Sequence, residues 1–382
     1  MNFEATQVQQ ELRDLTRKFA QKEILPLVEK DEESETFRPE IIAKLGELGL
    51  TGITLPEEYS GAGLGYQEFI IVIEELAAVN SGYAISVSVT ALAQVILNVF
   101  GTAEQKRRYI PPMAEGRAIG AFSLTEAAAG SDAGSLLTTA RRDGADYVLN
   151  GTKLYTTQGD VADTIILMAR TGGPGAKGIS AFIVEKGVKG LTNGKREKKM
   201  GMHTSHTMEL VLQDVRIPAA NLLGQEGDGF KVAMTALDSG RITIGSAALG
   251  ISEASLGVAI SHSRMREQFG KPLSEFQGVS FMLADMATQI DAARLLVNRA
   301  AWLKDNGKPH STEAAMAKLF ATDMAMKVTT DAVQVLGGAG YTQEFPVERY
   351  MREAKVMQIF EGTNQIQRLI IGRAITADGA KK

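Results

Sequence analysis

An almost unbroken apolar stripe begins at Phe230 and continues to about Gln268, and no other feature of the 382 residues restricts the fold as much. Its helical spacing predicts a helix about three times the usual globular length, and such a helix needs other long helices laid along it. The sequence supplies them. Ser274-x-x-Gln277 has the form of a capping box and predicts a second helix that ends at Asn306-Gly307. A third is predicted from about Thr312 to Leu336, with Gly337-Gly338 as its stop. Three such helices in succession predict an antiparallel bundle, completed as a four-helix bundle by a shorter helix beyond Phe360.

The chain before this bundle changes character twice. Residues 118–124, 147–149, 164–168, 179–184 and 208–215 are short runs rich in β-branched side chains. Asp143-Gly144 and Asn150-Gly151 sit among them as tight-turn signals, so an antiparallel β-barrel or sandwich is expected. Upstream the period is helical again. Leu12, Leu15, Phe19 and Ile24-Leu25 form one stripe, and Ile41-Ile42, Leu45 and Leu48 form another that stops at Gly49. Helices are also predicted over 66–79 and 83–99, and Thr102-x-x-Gln105 opens one that Ile110-Pro111-Pro112 ends or kinks. Gly61-x-Gly63-x-Gly65 lacks the spacing and the strand-turn-helix setting of a dinucleotide site. The expected plan is multidomain α+β, with an N-terminal helical domain over 1–117, a middle β domain over 118–228 and a C-terminal bundle over 229–382.

A net charge of −4 gives no electrostatic case for nucleic acid or an anionic membrane. The absence of cysteine removes disulfides, thiol nucleophiles and thiolate-bound metals from consideration. His203-x-x-His206 has a metal-like spacing but no companion acids, so no metal is expected. The Lys195–Lys199 run reads as a solvated turn. Met1-Asn2-Phe3-Glu4 carries neither a signal nor an Arg-rich presequence, and no apolar run is judged long enough for a membrane span. A bacterial cytoplasm is the expected location, with a processed mitochondrial matrix protein as the alternative.

Phe360-Glu361-Gly362-Thr363 sets one carboxylate between an aromatic and a glycine, with Thr363 suited to cap the helix that follows. A solvated acid beside a helix cap has the same four letters. Thr125 and Ser131 bracket a small-residue loop whose hydroxyls and N–H groups suit a polar ring edge or a pyrophosphate, or form an ordinary turn. Tyr155 and Thr157 fall on one face of a strand, where they can cover a ring and donate to its edge, or simply pack a sheet. Arg266 offers forked donors to phosphate, or is a solvated helix-end arginine. Gly337-Gly338 allows close backbone approach, or caps a helix. Asp238 and Arg241 read as an i,i+3 pair.

Five stretches taken in order resemble the acyl-CoA dehydrogenase family. They are Phe122-Ser-Leu124-Thr125-Glu126 through Gly130-Ser131-Asp132, Asn150-Gly151-Thr152-Lys153-Leu-Tyr155-Thr-Thr157, and Arg266-Glu-Gln-Phe269-Gly270 through Phe276-Gln277. The others are Gln334-Val-Leu-Gly337-Gly338-Ala-Gly340-Tyr341 and Glu361-Gly362-Thr363-Asn364-Gln365. The resemblance implies FAD, held by Phe122, Leu124, Thr125, Ser131, Tyr155, Thr157, Thr363 and Gln365. It further implies that Phe269, Phe276 and Gln334 bind FAD, and that Arg266, Gln277, Gly337 and Gly338 reach the FAD of a neighbouring subunit in a homo-oligomer, usually a tetramer. Tyr155 departs from the tryptophan common in the family.

The implied reaction is α,β-dehydrogenation of an acyl-CoA to a trans-2-enoyl-CoA. Glu361 would be the base, flavin N5 the hydride acceptor and an electron-transferring flavoprotein the next carrier. One branch of the family takes its base from the position of Gly240, which glycine cannot supply. The acyl chain is expected against Ala84, Ser88 and Leu92, with Ser131, Asp238, Arg241, Phe360 and Gly362 also at the substrate. The wording around Gly201-Met-His-Thr-Ser-His-Thr-Met looks closest to bacterial butyryl-CoA dehydrogenases, so a short, branched or aromatic acyl group is expected. The alternatives are an enoyl-CoA reductase running the chemistry in reverse, a flavin oxidase, and a non-dehydrogenase flavoprotein or scaffold on the same fold.

Overall fold

The first helix, α1 (Gln7–Phe19), starts on a reciprocal capping box between Thr6 and Gln9. The computed structural model describes residues 4–377. Met1, Asn2 and Phe3 of the N-terminal reading lie outside the described residues, as do the last five positions of the predicted C-terminal domain. After Phe19 the chain passes through a π turn (Ala20–Ile24) and a 3-10 turn containing Pro26. The change of winding shifts the phase of the predicted stripe beyond Phe19, and Leu25 is exposed while Phe19 and Ile24 are buried; Leu15, within α1, is exposed as well.

Then come α2 (Val28–Glu33), α3 (Pro39–Glu47), α4 (Tyr66–Ala77), α5 (Ser81–Phe100) and α6 (Ala103–Ala114). The capping box at Thr102 opens α6, as expected. The two prolines do not end that helix, which continues to Ala114. Their carbonyls remain usable, with Pro111 accepting from the Glu115 N–H and Pro112 from the Arg117 N–H.

The middle region contains β1 (Gly120–Ser123), β2 (Thr139–Asp143), β3 (Asp146–Thr157), β4 (Thr164–Arg170), β5 (Ile179–Glu185), β6 (Leu191–Arg196), β7 (Thr207–Pro218) and β8 (Leu222–Leu223). They form one sheet in the order β6-β7-β3-β2-β4-β5-β8, with β1 on β4. The sheet is mixed rather than antiparallel throughout, because β1 and β2 both run parallel to β4. Gly144 makes the β2–β3 turn, but Asn150-Gly151 is no turn at all. It lies inside β3 at a register shift against β7, where a Cβ on residue 151 would run into Thr138. Lys195 and Arg196 end strand β6 rather than lying in a turn, and Lys199 is half-buried.

The last third holds α7 (Gly229–Met265), a short ribbon of β9 (Glu267–Gln268) and β10 (Lys271–Pro272), then α8 (Gln277–Asp305) and α9 (Ser311–Leu336). It closes with α10 (Val347–Met357) and α11 (Asn364–Thr376). Ser274 caps nothing. It sits in a 3-10 turn, and α8 starts after Phe276 with no side-chain cap. Helix α10 was not expected as a separate element. Helix α7 packs on α8 and α9 and also on α4 and α5, so the bundle and the N-terminal helices share one core.

The membrane expectation needs correction: by length and composition alone, α5 and α7 are both apolar enough to span a bilayer. Their most apolar windows are 83% and 78% buried inside the protein, which accounts for the hydropathy as core packing.

Candidate active site

Between α10 and α11 the backbone turns on two consecutive residues of positive φ, Glu361 at +55° and Gly362 at +87°. The left-handed region costs a non-glycine residue about 1–2 kcal/mol, so the loop must be held from outside. Lys318 on α9 donates to the Gly362 carbonyl at 2.9 Å, and Gln367 on α11 donates to the same oxygen at 2.8 Å. Gln367 also reaches the Glu361 carbonyl at 3.3 Å. Thr363 caps α11 through the Ile366 N–H. The Glu361 N–H has no hydrogen-bond acceptor among the described residues.

The Glu361 carboxylate points at α7. A Cβ at Gly240 would overlap Oε2 and come within 3.0 Å of Cδ and 3.4 Å of the Leu92 methyl. Glycine at this position therefore makes the space that the carboxylate fills. Oε2 is buried with no hydrogen-bond partner, and burial pushes the carboxyl up to about 7 against the opposing pull of Arg241 and Lys318. Arg241 is itself buried and paired with Asp238, and its Nε is a second buried polar atom without a partner. Ser311 donates to Asp238 at 2.9 Å. Two unpartnered polar atoms of opposite character in one site are what a bound polar substrate would satisfy.

Ala84, Ser88 and Leu92 are all buried on α5. Ser88 shares a hydrogen bond of 2.6 Å with Thr243 on α7, and Thr243 donates to the Gly240 carbonyl at 2.9 Å. Leu92, Ser88 and Glu361 thus meet the same stretch of α7. Phe360 lines a cavity of about 190 Å³ with Thr157, Ile85, Met202, Ser205 and Val356 among its other walls. Its apolar walls, the hydroxyls of Thr157, Ser205 and Thr207, and the cations Lys199, Arg352 and Lys355 offer the ring contacts and polar donors an isoalloxazine takes, and this cavity adjoins the base loop through Phe360. FAD fits these residues. A flavin held there would supply a two-electron acceptor.

Tyr155 has φ +54° and is 60% exposed, at a second register shift between Lys153 and Thr156. The bulge breaks the two-residue alternation on which its shared face with Thr157 was expected. Phe122, Leu124 and Thr125 are half-buried at and beyond the end of β1, and Ser131 is exposed in the loop that follows. Gln365 is exposed on the first turn of α11.

The remaining predicted cofactor residues form a separate surface. Arg266, Gln277, Gln334, Gly337 and Gly338 are exposed, and Phe269 is 95% exposed with only the Phe276 ring against it. Gly337 caps α9 with φ +61°. Gly337 lies nineteen residues from Lys318 along α9, or about 28 Å, and Arg266 lies twenty-six from Gly240 along α7, or about 39 Å, so both are remote from the Glu361 loop of their own chain.

Sequence reasoning missed three supports. Lys318 is fully buried on an alanine-rich helix face, a charge where periodicity calls for an apolar residue. Gln367 is the second donor on the base loop. Glu126 accepts from the Leu137 and Thr138 N–H groups and pairs with Lys153 at 2.7 Å, both side chains being buried. Burial works against the Glu126 charge, yet the Lys153 ammonium and these bonds hold its carboxyl below the ordinary range. His206 bonds Asp160 at 2.6 Å and His203 bonds the Glu32 and Lys199 carbonyls.

Three family descriptions match in order: acyl-CoA dehydrogenase N-terminal domain over 6–117, middle domain over 121–215 and C-terminal domain over 227–376. The chain is 48% identical to a short-chain-specific acyl-CoA dehydrogenase of Megasphaera elsdenii, covering 98% of this chain and all of the relative. It is 44% identical to an acryloyl-CoA reductase (NADH) of Anaerotignum propionicum, over 98% of this chain and 96% of the other. A chain from a structural study of the electron transferring flavoprotein of Acidaminococcus fermentans, directed at flavin-based electron bifurcation, superposes with a TM-score of 0.98. Its identity is 50%, with coverage of 99% of this chain and 100% of that one.

Proposed function

The chain belongs to the acyl-CoA dehydrogenase family, and from that membership we propose that it oxidises a short-chain acyl-CoA to the trans-2-enoyl-CoA with FAD, Glu361 being the base. The observation that carries this reading is the buried, unpartnered Oε2 of Glu361, which sits on a strained loop beside the Phe360 cavity. Such an oxygen is free to take a C–H proton, and its burial raises its affinity for one. The α-proton of a thioester is weakly acidic, so the developing enolate charge needs donors. The free N–H of Glu361 is available for the thioester carbonyl, and glycine at 362 takes the positive φ of the loop and leaves room for the Gln367 amide, 2.8 Å from where a Cβ would lie. Arg241 and Asp238 sit toward the polar end of the substrate, and Ala84, Ser88 and Leu92 bound the acyl end.

Phe122, Leu124, Thr125, Ser131, Tyr155, Thr157, Thr363 and Gln365 hold the FAD of their own subunit in this reading. The exposed set from Arg266 to Gly338 serves a neighbouring copy, which its distance from the Glu361 loop supports. The assembly is a homotetramer in a bacterial cytoplasm, and electrons leave to an electron-transferring flavoprotein. The domain limits are drawn after residues 117 and 228.

The 44% identity to an acryloyl-CoA reductase favours one second reading, in which the same residues protonate an enoyl-CoA at the α-carbon. Glu361→Gln tests the base. The variant should bind FAD normally and lose several decades in anaerobic flavin reduction by butyryl-CoA, and a near-normal rate would exclude this assignment. Assay of both directions with the cognate flavoprotein separates dehydrogenase from reductase.

A further inference from the structure

We propose that Lys318 is a positioning residue that fixes the Glu361 loop through the Gly362 carbonyl and places its amino group at that loop. The inference rests on Glu361 being the base.

Lys318 lies in the middle of the core and is 0% exposed. Its Nζ has two acceptors, the Gly362 carbonyl at 2.9 Å and Asn364 Oδ1 at 2.7 Å, and it makes no ion pair among the described residues. A lysine kept only for stability would be expected to face a carboxylate at contact distance. This one faces the backbone of the loop instead. Asn364 is in turn fixed by donating to Thr322 at 2.9 Å and to Asp323 at 2.7 Å, so both acceptors are themselves held by α9 and its neighbours. The result is a rigid link from α9 to the two residues of positive φ. Gln367 grips the same carbonyl from the other side.

The charge has a second role. The charged groups that bear on Lys318 are Glu361 from the base loop, Asp323 from α9 itself and Arg241 from α7. Asp323 is engaged by Arg368 at 2.8 Å, and Arg241 by Asp238. Glu361 is therefore the one carboxylate of this group without a hydrogen-bonded partner at Oε2, and Lys318 is the lysine that opposes its burial. Burial draws Lys318 down to about 7, close to Glu361. A neutral amine still has two N–H bonds for its two acceptors, so the loop stays gripped whichever state Lys318 takes. The ammonium, and not the grip alone, is what favours the ionised base.

The test uses the FAD-loaded enzyme and three variants: Lys318→Gln, which keeps donors without charge, Lys318→Met, which keeps neither, and Gln367→Met, which removes a donor but no charge. Flavin content and melting temperature establish folding. The readouts are the pH profile of anaerobic flavin reduction by butyryl-CoA and the exchange of its α-deuterium into solvent. Loss of the ammonium raises the base's proton affinity, so the acid limb should move up by about one pH unit in both Lys318 variants. The high-pH plateau should fall about 100-fold in Lys318→Met and only a fewfold in Lys318→Gln. Gln367→Met should lower the plateau without moving the limb. Folded, flavin-loaded Lys318 variants with an unmoved limb and a wild-type plateau would overturn the proposal, and if the Met variant does not fold, the limb of the Gln variant decides. Glu361→Gln is run in parallel. Persistent α-exchange there defeats the base assignment, whereas lost exchange there beside wild-type Lys318 variants defeats only the role of Lys318.

Discussion

Gly240→Ala is a one-carbon test of how the base is seated. The added methyl would fall on Oε2 of Glu361, 3.0 Å from its Cδ and 3.4 Å from the Leu92 side chain. Carbon cannot occupy that space, so the carboxylate must swing away by roughly 1 Å. A displacement of that size at a reacting group costs about 100-fold in rate, equivalent to about 2.7 kcal/mol of barrier. Stability should change less. Alanine gains about 1 kcal/mol over glycine inside α7, and overpacking costs about 1–3 kcal/mol, leaving a net loss of at most about 2 kcal/mol. The expected signature is therefore a folded, flavin-loaded protein whose reduction by butyryl-CoA is slowed about 100-fold. Stopped-flow bleaching of the flavin reads the rate, and calorimetry reads the stability. Wild-type rates in this variant would refute the claim that glycine at 240 exists to seat Glu361.

The remaining predictions concern pH, packing and the acyl pocket. Glu361 is raised from 4.5 to about 7, so the folded state holds its proton more tightly than the unfolded one. Its contribution to stability is fully present below pH 4.5 and is lost as pH rises through 7, a loss on the order of 3 kcal/mol. Glu361→Gln, which cannot ionise, should accordingly gain in melting temperature relative to wild type between pH 5 and 8, and a difference independent of pH would contradict the raised value. For activity, kcat/KM should rise with pH through about 7 as the base ionises, and a profile flat from pH 5 to 8 would count against it. Lys153→Met leaves Glu126 buried without its cation and should destabilise the protein by about 3–5 kcal/mol in urea unfolding. Leu92→Ala should open space beside Glu361 and move the preferred acyl chain longer by about one to two carbons, read as kcat/KM across saturated acyl-CoAs.

Much of the architecture was legible in the sequence, because long-range order here rests on local periodicity. The stripe beginning at Phe230 and the stop at Gly337-Gly338 bound α7 and α9 to within a few residues, since apolar spacing and a glycine cap are properties of the chain itself. Where local rules competed, tertiary context decided. Asn150-Gly151 has the letters of a turn but pairs with β7 as a bulge, and Ser274 has the letters of a cap but yields to a 3-10 turn. Helices α5 and α7 have the hydropathy of membrane spans because they are surrounded by protein on nearly every side.

At the candidate site, the letters Glu361-Gly362-Thr363 singled out the carboxylate and its cap, since a capping residue acts on its own helix. The setting of that carboxylate is a different kind of fact. Lys318, Gln367, Gly240 and Leu92 come from four helices, and no spacing along the chain encodes their meeting. The unpartnered oxygen, the raised proton affinity and the grip on the Gly362 carbonyl arise only when α5, α7, α9 and α11 close around one loop. Desolvation and opposing charge depend on what lies nearby in space, and that is decided by packing.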